Sequence, residues 1–182
     1  MNSGINKTKV IFLPGNGGDG NTFYGWFPYV KRELEKLGYE VISPIFPDGI
    51  LARMSYWLPY LETLNPDQNT ILIGHSSGAV AIMRYTETHK ILGSVLVSPY
   101  HTDLMIESEK VSGYFDQPWD WESIKNNQKW IIQFSSMNDP FIPTKESRFV
   151  NQHLNSEYYE LDQGHFMQEE LPEMIKAIKS KK

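Results

Sequence analysis

Residues 70–88 read TILIGHSSGAVAIMRYTET, and this stretch decides the fold. The apolar run Thr70–Ile73 has the length of a buried strand, and Gly78–Glu87 has the composition of a helix. Between them the chain turns within GHSSG, where a side chain at either outer position would crowd the contact between strand and helix. This pattern predicts a sharp strand-to-helix turn that exposes Ser76 at the edge of a sheet.

Apolar runs and longer amphipathic segments alternate on both sides of this stretch. Five further strands are predicted, at Lys9–Leu13, Glu40–Ser43, Gly93–Ser98, Trp130–Phe134 and Glu157–Leu161. Four further helices are predicted, at Trp26–Leu37, Met54–Leu64 (which Pro59 should kink or restart), Thr144–Leu154 and Pro172–Lys179. We therefore expect a single α/β domain over residues 1–182, with a mainly parallel six-stranded sheet and helices on both faces.

Composition excludes several classes of protein. The 182-residue chain has a net charge of -5, which argues against nucleic-acid binding. It has no cysteine, so disulfides, thiolate catalysis and cysteine metal sites are excluded, and its histidines lack the paired spacing of a metal site. Residues 1–9 are polar and no apolar run could span a bilayer, so we expect a cytoplasmic protein with no membrane partner and no metal.

Two strand ends beyond the serine turn carry an acid and a base. In parallel sheets, ligands bind beyond the carboxyl ends of the strands. Asp139 lies just past the fifth predicted strand and His165 just past the sixth. The chain order Ser, Asp, His is the order used by the fold in which such a serine turn occurs, and we predict Ser76 as nucleophile, His165 as base and Asp139 as the residue that orients the base.

A glycine-rich segment follows the first strand and can turn its N–H groups toward a developing oxyanion. The predicted donors are the backbone N–H groups of Asn16 and Ser77; the alternative is a turn that merely needs positive φ. Gly15, Gly17 and Gly20 also spell G-x-G-x-x-G, a dinucleotide fingerprint. We disfavour that alternative, because no helix opens on the loop and no acidic residue ends the second strand.

The chain has four histidines besides His165. His101 follows the fourth strand and is the serious rival base. His89 and His153 fall at helix ends and are expected to be solvated. His75 belongs to the serine turn and is expected to point away from the nucleophile's side of it.

The connection Pro99–Asn127 is long for a parallel sheet, which indicates a functional segment. We assign a substrate pocket to four of its aromatic residues, Tyr100, Phe115, Trp119 and Trp121. In the alternative interpretation, which the sequence leaves equally open, Trp119 and Trp121 only pin the connection to the domain.

Seven blocks of sequence resemble one family: PGNGG at 14–18, YGW at 24–26, GHSSGA at 74–79, SGYF at 112–115, PW at 118–119, DPF at 139–141 and GHF at 164–166. The chain is similar along nearly its whole length to the small serine hydrolases related to retinoblastoma-binding protein 9. The resemblance implies a compact, three-layer α/β-hydrolase fold that lacks the first strands of the larger fold, and we expect strand order 2-1-3-4-5-6. It also implies a triad that maps onto Ser76, Asp139 and His165.

The expected function is hydrolysis of an ester, thioester or amide bond in a small molecule or short peptide, through an acyl-enzyme and without a cofactor. The alternatives are a non-catalytic binding protein on a hydrolase scaffold and a dinucleotide-binding reductase. The L-x-C-x-E motif of the family's name-giving member is missing, because residues 64–68 read LNPDQ. A retinoblastoma-type partner is therefore not expected.

Overall fold

The computed structural model describes residues 7–181, so the first six residues of the polar N-terminal segment and Lys182 lie outside it. The strands are β1 Lys9–Leu13, β2 Glu40–Ile42, β3 Thr70–His75, β4 Gly93–Val97, β5 Trp130–Ser136 and β6 Glu157–Leu161. The helices are α1 Phe27–Lys36, α2 Met54–Thr63, α3 Ser77–Thr86, α4 Glu107–Lys110, α5 Trp121–Asn126, α6 Thr144–Leu154 and α7 Pro172–Lys179. Within this described range, no helix has the length and apolar character needed to cross a membrane.

The predicted elements are present, with two additions. The short helices α4 and α5 were not predicted, and both lie in the long connection between β4 and β5. Helix α2 continues through Pro59 without the predicted restart. The C-terminal ends of β3 and β5 extend two residues further than predicted, to His75 and Ser136, so both strands reach closer to the serine turn and to Asp139.

All strand pairs in the sheet are parallel, and the strand order is β2-β1-β3-β4-β5-β6, as predicted. The strand order reverses between β1 and β3: the chain first adds β2 on one side of β1 and then adds β3 and the later strands on the other side. Ligands of such sheets bind beyond the carboxyl ends near this point. The end of β3, which carries Ser76, therefore occupies the position that the fold favours for a site.

Side chains of each strand alternate between two apolar cores, one on each face of the sheet. Ile11 and Leu13 of β1 belong to the core that includes residues of α2, α3, α5 and α6. Val10 and Phe12 belong to the core that includes residues of α1 and α7. Helices thus cover both faces, and this confirms the predicted three-layer α/β architecture.

The turn between β3 and α3 is held in a strained conformation. Ser76 has φ 54° and ψ -118°, a region that non-glycine residues rarely occupy. Its N–H donates to the carbonyl oxygen of Val97 at 2.8 Å, so the neighbouring strand holds it in place. A Cβ on Gly74 would lie 2.5 Å from the main chain of Gly78, and a Cβ on Gly78 would lie 2.4 Å from the carbonyl oxygen of Leu13. The turn can pack this closely only with glycine at both positions.

Arg84 of α3 ties down the second half of the long connection. Its guanidinium donates to the carbonyl oxygens of Tyr114, Gln117 and Pro118 at 2.7, 2.6 and 3.1 Å. The same group lies 3.6 Å from the ring centroid of Trp119, a cation–π contact. Since the Arg84 side chain is buried, these contacts fix the connection to the body of the domain.

We expect Gly78→Ala to lower the free energy of unfolding by about 1–3 kcal/mol, because the added methyl group would overlap the main chain of β1. Urea unfolding followed by circular dichroism measures this loss. Gly18→Ala is the matched control, since a Cβ there would meet no atom within 4 Å. Equal unfolding midpoints for the two variants would contradict the close-packing argument.

Candidate active site

The loops after β5 and β6 bring Asp139 and His165 into contact. The Nδ1–H of His165 donates to Asp139 Oδ2 at 2.8 Å, with Oδ1 at 3.0 Å. This hydrogen bond fixes the tautomer of the neutral ring, because the carboxylate accepts from Nδ1 and so keeps the proton there. Nε2 is then left as an acceptor. Ser76 and His165 both lie on the wall of one cavity. The three predicted residues are therefore gathered at one edge of the sheet.

The side chain of Asp139 is buried and has several hydrogen-bond donors around it. Oδ1 accepts from the N–H groups of Phe141 and Ile142 at 2.9 and 3.0 Å, and Oδ2 accepts from Ser98 Oγ at 2.9 Å. Burial alone would raise the pKa of Asp139, but the hydrogen bonds from His165 and from the two N–H groups outweigh it and lower the pKa. The side chain is thereby kept ionised next to the imidazole.

Ser98 is a contributor that the sequence analysis missed. It lies directly after β4, at φ 49°. Its hydroxyl donates to Asp139 Oδ2, the oxygen that also accepts the hydrogen bond from the His165 ring at 2.8 Å. It stands at the end of a predicted strand, so the strand-end rule that selected Asp139 and His165 would also have selected it.

Two cavities meet at the predicted nucleophile. The larger, of about 350 Å³, is lined by residues 15–21, Tyr24, His75, Ser76, Phe141, His165 and Met167. The smaller, of about 220 Å³, is lined by Asn16, Ser76, Tyr100, Leu104, Glu109, Phe141, Ile142 and His165. Ser76 and His165 are common to both walls. A bond held at Ser76 could therefore place one part of a substrate on each side.

Phe141 lies on the wall of both cavities. Its side chain is 63% exposed, and its ring meets the His165 ring edge-on at 5.1 Å between centroids. An exposed aromatic ring in this place is a contact surface for whatever enters the site. The sequence analysis did not select this residue, although it lies within the DPF block.

The N–H groups of Asn16 and Ser77 have no acceptor among the residues that the structure describes. Ser77 is the first residue of α3, where helical geometry provides no intrahelical acceptor.

On either side of Asn16 the loop is held by hydrogen bonds. The Gly15 N–H donates to Tyr24 Oη at 2.9 Å, and the Gly17 N–H donates to the Ile50 carbonyl oxygen at 3.1 Å. Asn16 also lines both cavities, so it lies beside Ser76.

His75 does not point away from the site, and that prediction is corrected. Its Nε2–H donates to the backbone carbonyl of His165 at 2.9 Å, and the two rings are 4.6 Å apart between centroids. Burial, together with the nearby His165, lowers the pKa of His75 from 6.5 to about 3. His75 is therefore a neutral, buried donor that holds the turn bearing His165, a role that depends on tertiary contacts the sequence does not reveal.

The rival histidines are engaged elsewhere. His101 Nδ1 lies 2.7 Å from Glu146 Oε2, and the ring stacks on Phe149 at 3.9 Å between centroids. His101 lines neither of the two cavities at Ser76. His153 is exposed in the last turn of α6, and His89 lies beyond the end of α3. Of the five histidines, His75 and His165 are the ones that lie on the cavity wall.

The four aromatic residues assigned to a pocket separate into two groups. Tyr100 lines the smaller cavity, whereas Phe115, Trp119 and Trp121 are not on the wall of either cavity at Ser76. These three rings pack against the core on the α3 side of the sheet, and Trp119 Nε1–H donates to the carbonyl of His101 at 2.9 Å. Their assignment to the pocket is corrected, since Trp119 and Trp121 pin the connection instead.

The dinucleotide alternative finds no support in the loop geometry. α1 does not begin until Phe27, well beyond Gly20, so no helix N-terminus opens on the glycine-rich loop. The loop instead forms a wall of the cavity that contains Ser76. Among the described residues no cluster of three or more histidine or carboxylate side chains could hold a metal ion.

The parallel sheet and the serine turn at the end of β3 define an α/β-hydrolase fold. The family model "Serine hydrolase" matches residues 10–174, and the chain belongs to the serine hydrolase family, as its sequence blocks predicted. Serine hydrolase RBBP9 of Rattus norvegicus is 48% identical to it over 95% of both chains. The chain is thus a hydrolase.

Solved structures share the fold. The ydeN gene product from B. subtilis superposes with a TM-score of 0.87 at 24% identity, covering 96% of this chain and 98% of that one. MGS-M2, an α/β-hydrolase enzyme from a Medee basin deep-sea metagenome library, superposes with a TM-score of 0.64 at 13% identity, covering 96% and 88%. At these identities the likeness concerns the architecture alone.

We expect His75→Gln to make folding less sensitive to acid. The unfolded chain protonates His75 near pH 6.5, whereas the folded chain resists protonation down to about pH 3, so stability falls as the pH drops through this window. The wild type should lose roughly 1.4 kcal/mol more per pH unit than the variant between about pH 6 and pH 4. Urea unfolding across this range measures both slopes, and parallel curves would contradict the assignment of His75 as a buried neutral group.

Proposed function

We propose that the chain cleaves an ester, thioester or amide bond of a small molecule or short peptide, with Ser76 as nucleophile, His165 as general base and Asp139 as its partner. The observation that carries the proposal is the Asp139–His165 hydrogen bond on the wall of the cavity to which the strained turn presents Ser76. A nucleophile, a base and a residue that orients the base are the parts that acyl transfer requires.

In the first step, Ser76 Oγ attacks the carbonyl carbon of the substrate while His165 Nε2 takes the hydroxyl proton. The ionised Asp139 stabilises the imidazolium that forms, and its low pKa keeps it from taking the proton itself. The tetrahedral intermediate then collapses, and His165 returns the proton to the leaving alcohol, thiol or amine. An acyl group remains on Ser76.

In the second step, water replaces the leaving group. His165 removes a proton from water as its oxygen attacks the acyl carbon, and the proton then passes to Ser76 Oγ as the acid is released. No cofactor takes part in either step.

The negative oxygen of each intermediate needs donors that are in place beforehand. The N–H groups of Asn16 and Ser77 are free, and the Ser77 N–H stands at the positive end of α3. We assign the oxyanion hole to these two groups. Losing one such donor typically costs about 10²–10³ in turnover.

The two cavities at Ser76 suggest how the substrate is divided. One would take the acyl part and the other the leaving group, with the scissile carbonyl between them. Phe141 and Met167, both largely exposed, give the larger cavity an apolar rim. This rim favours a substrate with an apolar group next to the reacting bond.

Ser76→Ala should leave the fold intact and remove nearly all hydrolysis of p-nitrophenyl acetate. A fluorophosphonate probe, which loses fluoride as it forms a phosphorus–oxygen bond, should label the wild type at Ser76, as peptide mass mapping would detect. His165→Ala should abolish this labelling, and His89→Ala, which removes an imidazole outside the site, should retain it. Labelling at another residue would overturn the assignment of Ser76 as nucleophile. No labelling of folded wild type would contradict the proposed mechanism and favour the alternative of a binding role on a hydrolase scaffold.

Phe141→Ala should relax the preference for acyl length, because the ring lies on the wall of both cavities. Because the ring contributes to the apolar rim, we expect the ratio of kcat/KM for p-nitrophenyl octanoate to that for the acetate to fall roughly tenfold, which is the order of effect that losing an apolar contact produces. Met137→Ala removes another largely exposed apolar side chain and should leave the ratio unchanged. An unchanged ratio in Phe141→Ala would remove the ring from any role in specificity.

A further inference from the structure

Glu109 is a buried acidic residue on the short helix α4, and it lines the smaller cavity together with Ser76. Both of its oxygens accept a hydrogen bond. Oε1 accepts from Asn16 Nδ2 at 2.7 Å, and Oε2 accepts from Tyr100 Oη at 2.7 Å. Burying a carboxyl group is costly unless its oxygens are paired, so these two contacts are needed for it to remain in place.

The hydrogen bonds continue in a defined direction to the residue after the nucleophile. Tyr100 Oη donates its hydrogen bond to Glu109. It therefore accepts a hydrogen bond from the hydroxyl group of Ser77, whose Oγ lies 3.0 Å away. Burial, followed by the charge of Glu109, raises the pKa of Tyr100 well above its usual value, so the phenol keeps the proton that it donates. Glu109 is therefore linked to Ser77 through Tyr100 and directly to Asn16.

Asn16 and Ser77 are the two residues whose free N–H groups form the proposed oxyanion hole. One lies on the loop after β1 and the other at the start of α3, and a single carboxyl group between them holds the side chains of both. The main chain of Glu109 is fixed in turn, because its carbonyl accepts from Ser112 Oγ at 2.6 Å. Nothing in this arrangement requires Glu109 to touch the substrate.

We propose that Glu109 is a positioning residue for the oxyanion hole: it holds the side chain of Asn16 directly and the side chain of Ser77 through Tyr100, and thereby keeps the backbone N–H groups of both residues in place. This inference rests on the proposed function, since it presupposes the oxyanion hole. It gives the connection between β4 and β5 a catalytic consequence: the two donors are aligned when α4 is seated against them.

The decisive variant is Glu109→Gln, which keeps the size of the side chain but replaces one acceptor by an NH₂ group. Asn16 or Tyr100 then faces a donor instead of an acceptor. We expect kcat for p-nitrophenyl acetate to fall about 10–100-fold, which is the effect of a small misplacement of catalytic groups, with KM changed less than about twofold. Glu107→Gln, on the same helix with a side chain that is 82% exposed, should behave as the wild type.

A second measurement separates positioning from a general structural role. An alkyl trifluoromethyl ketone adds the serine hydroxyl and forms a tetrahedral oxyanion, so its inhibition constant should rise in Glu109→Gln by the same factor by which kcat/KM falls. Tyr100→Phe removes a single hydroxyl from the chain of hydrogen bonds and should cause a change in the same direction. Tyr100→Phe provides the test of the proposal if Glu109→Gln fails to fold.

The outcomes are distinguishable. Wild-type kcat and inhibition constant in a folded Glu109→Gln, or in Tyr100→Phe when Glu109→Gln does not fold, would overturn the positioning role while labelling of Ser76 still upheld the proposed function. A raised KM with unchanged kcat would also overturn it and make Glu109 a substrate contact. If the wild type is not labelled at Ser76, the proposed function fails and this inference fails with it.

Discussion

The backbone strain at Ser76 is the constraint on which the site depends. A non-glycine residue in this conformation costs on the order of 1–3 kcal/mol, and it persists only where its surroundings fix it. Here the Ser76 N–H continues the pairing of β3 with β4 through Val97, and its carbonyl accepts from Ala79 and Val80 in the first turn of α3. The close packing of Gly78 on β1 removes the space into which the turn could relax. Strand and helix together keep the serine at the sheet edge.

The same edge gathers other irregular backbone. Ser98 after β4 and Phe166 after β6 also have positive φ. The Ser98 hydroxyl donates to Asp139, and Phe166 directly follows His165, whose ring donates to Asp139. Because β4, β5 and β6 are adjacent and parallel, the loops after them converge and a carboxylate on the middle loop can be reached from both sides. Strain concentrated at one edge is typical of functional sites, whose geometry the rest of the fold must hold in place.

Local signals explain which features could be predicted from the sequence. Apolar runs that end in glycine, proline or polar residues identified the six strands, and the strand-end rule found Asp139 and His165. Helices α4 and α5, of four and six residues, are too short for a periodic pattern to emerge. The contacts of His75 with His165 and of Glu109 with Asn16 join residues about ninety positions apart, and no pattern within a short window encodes such pairs. The same holds for Trp119, whose partner Arg84 is on another element.

The long connection combines two functions that the sequence left as alternatives. Its second half is fixed by Arg84, which binds three carbonyl oxygens and the face of Trp119, while its first half places Leu104 and Glu109 on the wall of the smaller cavity. Buried charged groups such as these add little net stability compared with apolar packing, but they tolerate few alternative arrangements, since each misplaced partner leaves a polar group unpaired. We infer that these charged groups fix the conformation of the connection. Apolar rings alone would allow the connection to shift along the domain, whereas the hydrogen bonds of Arg84 and Glu109 are satisfied in one arrangement only.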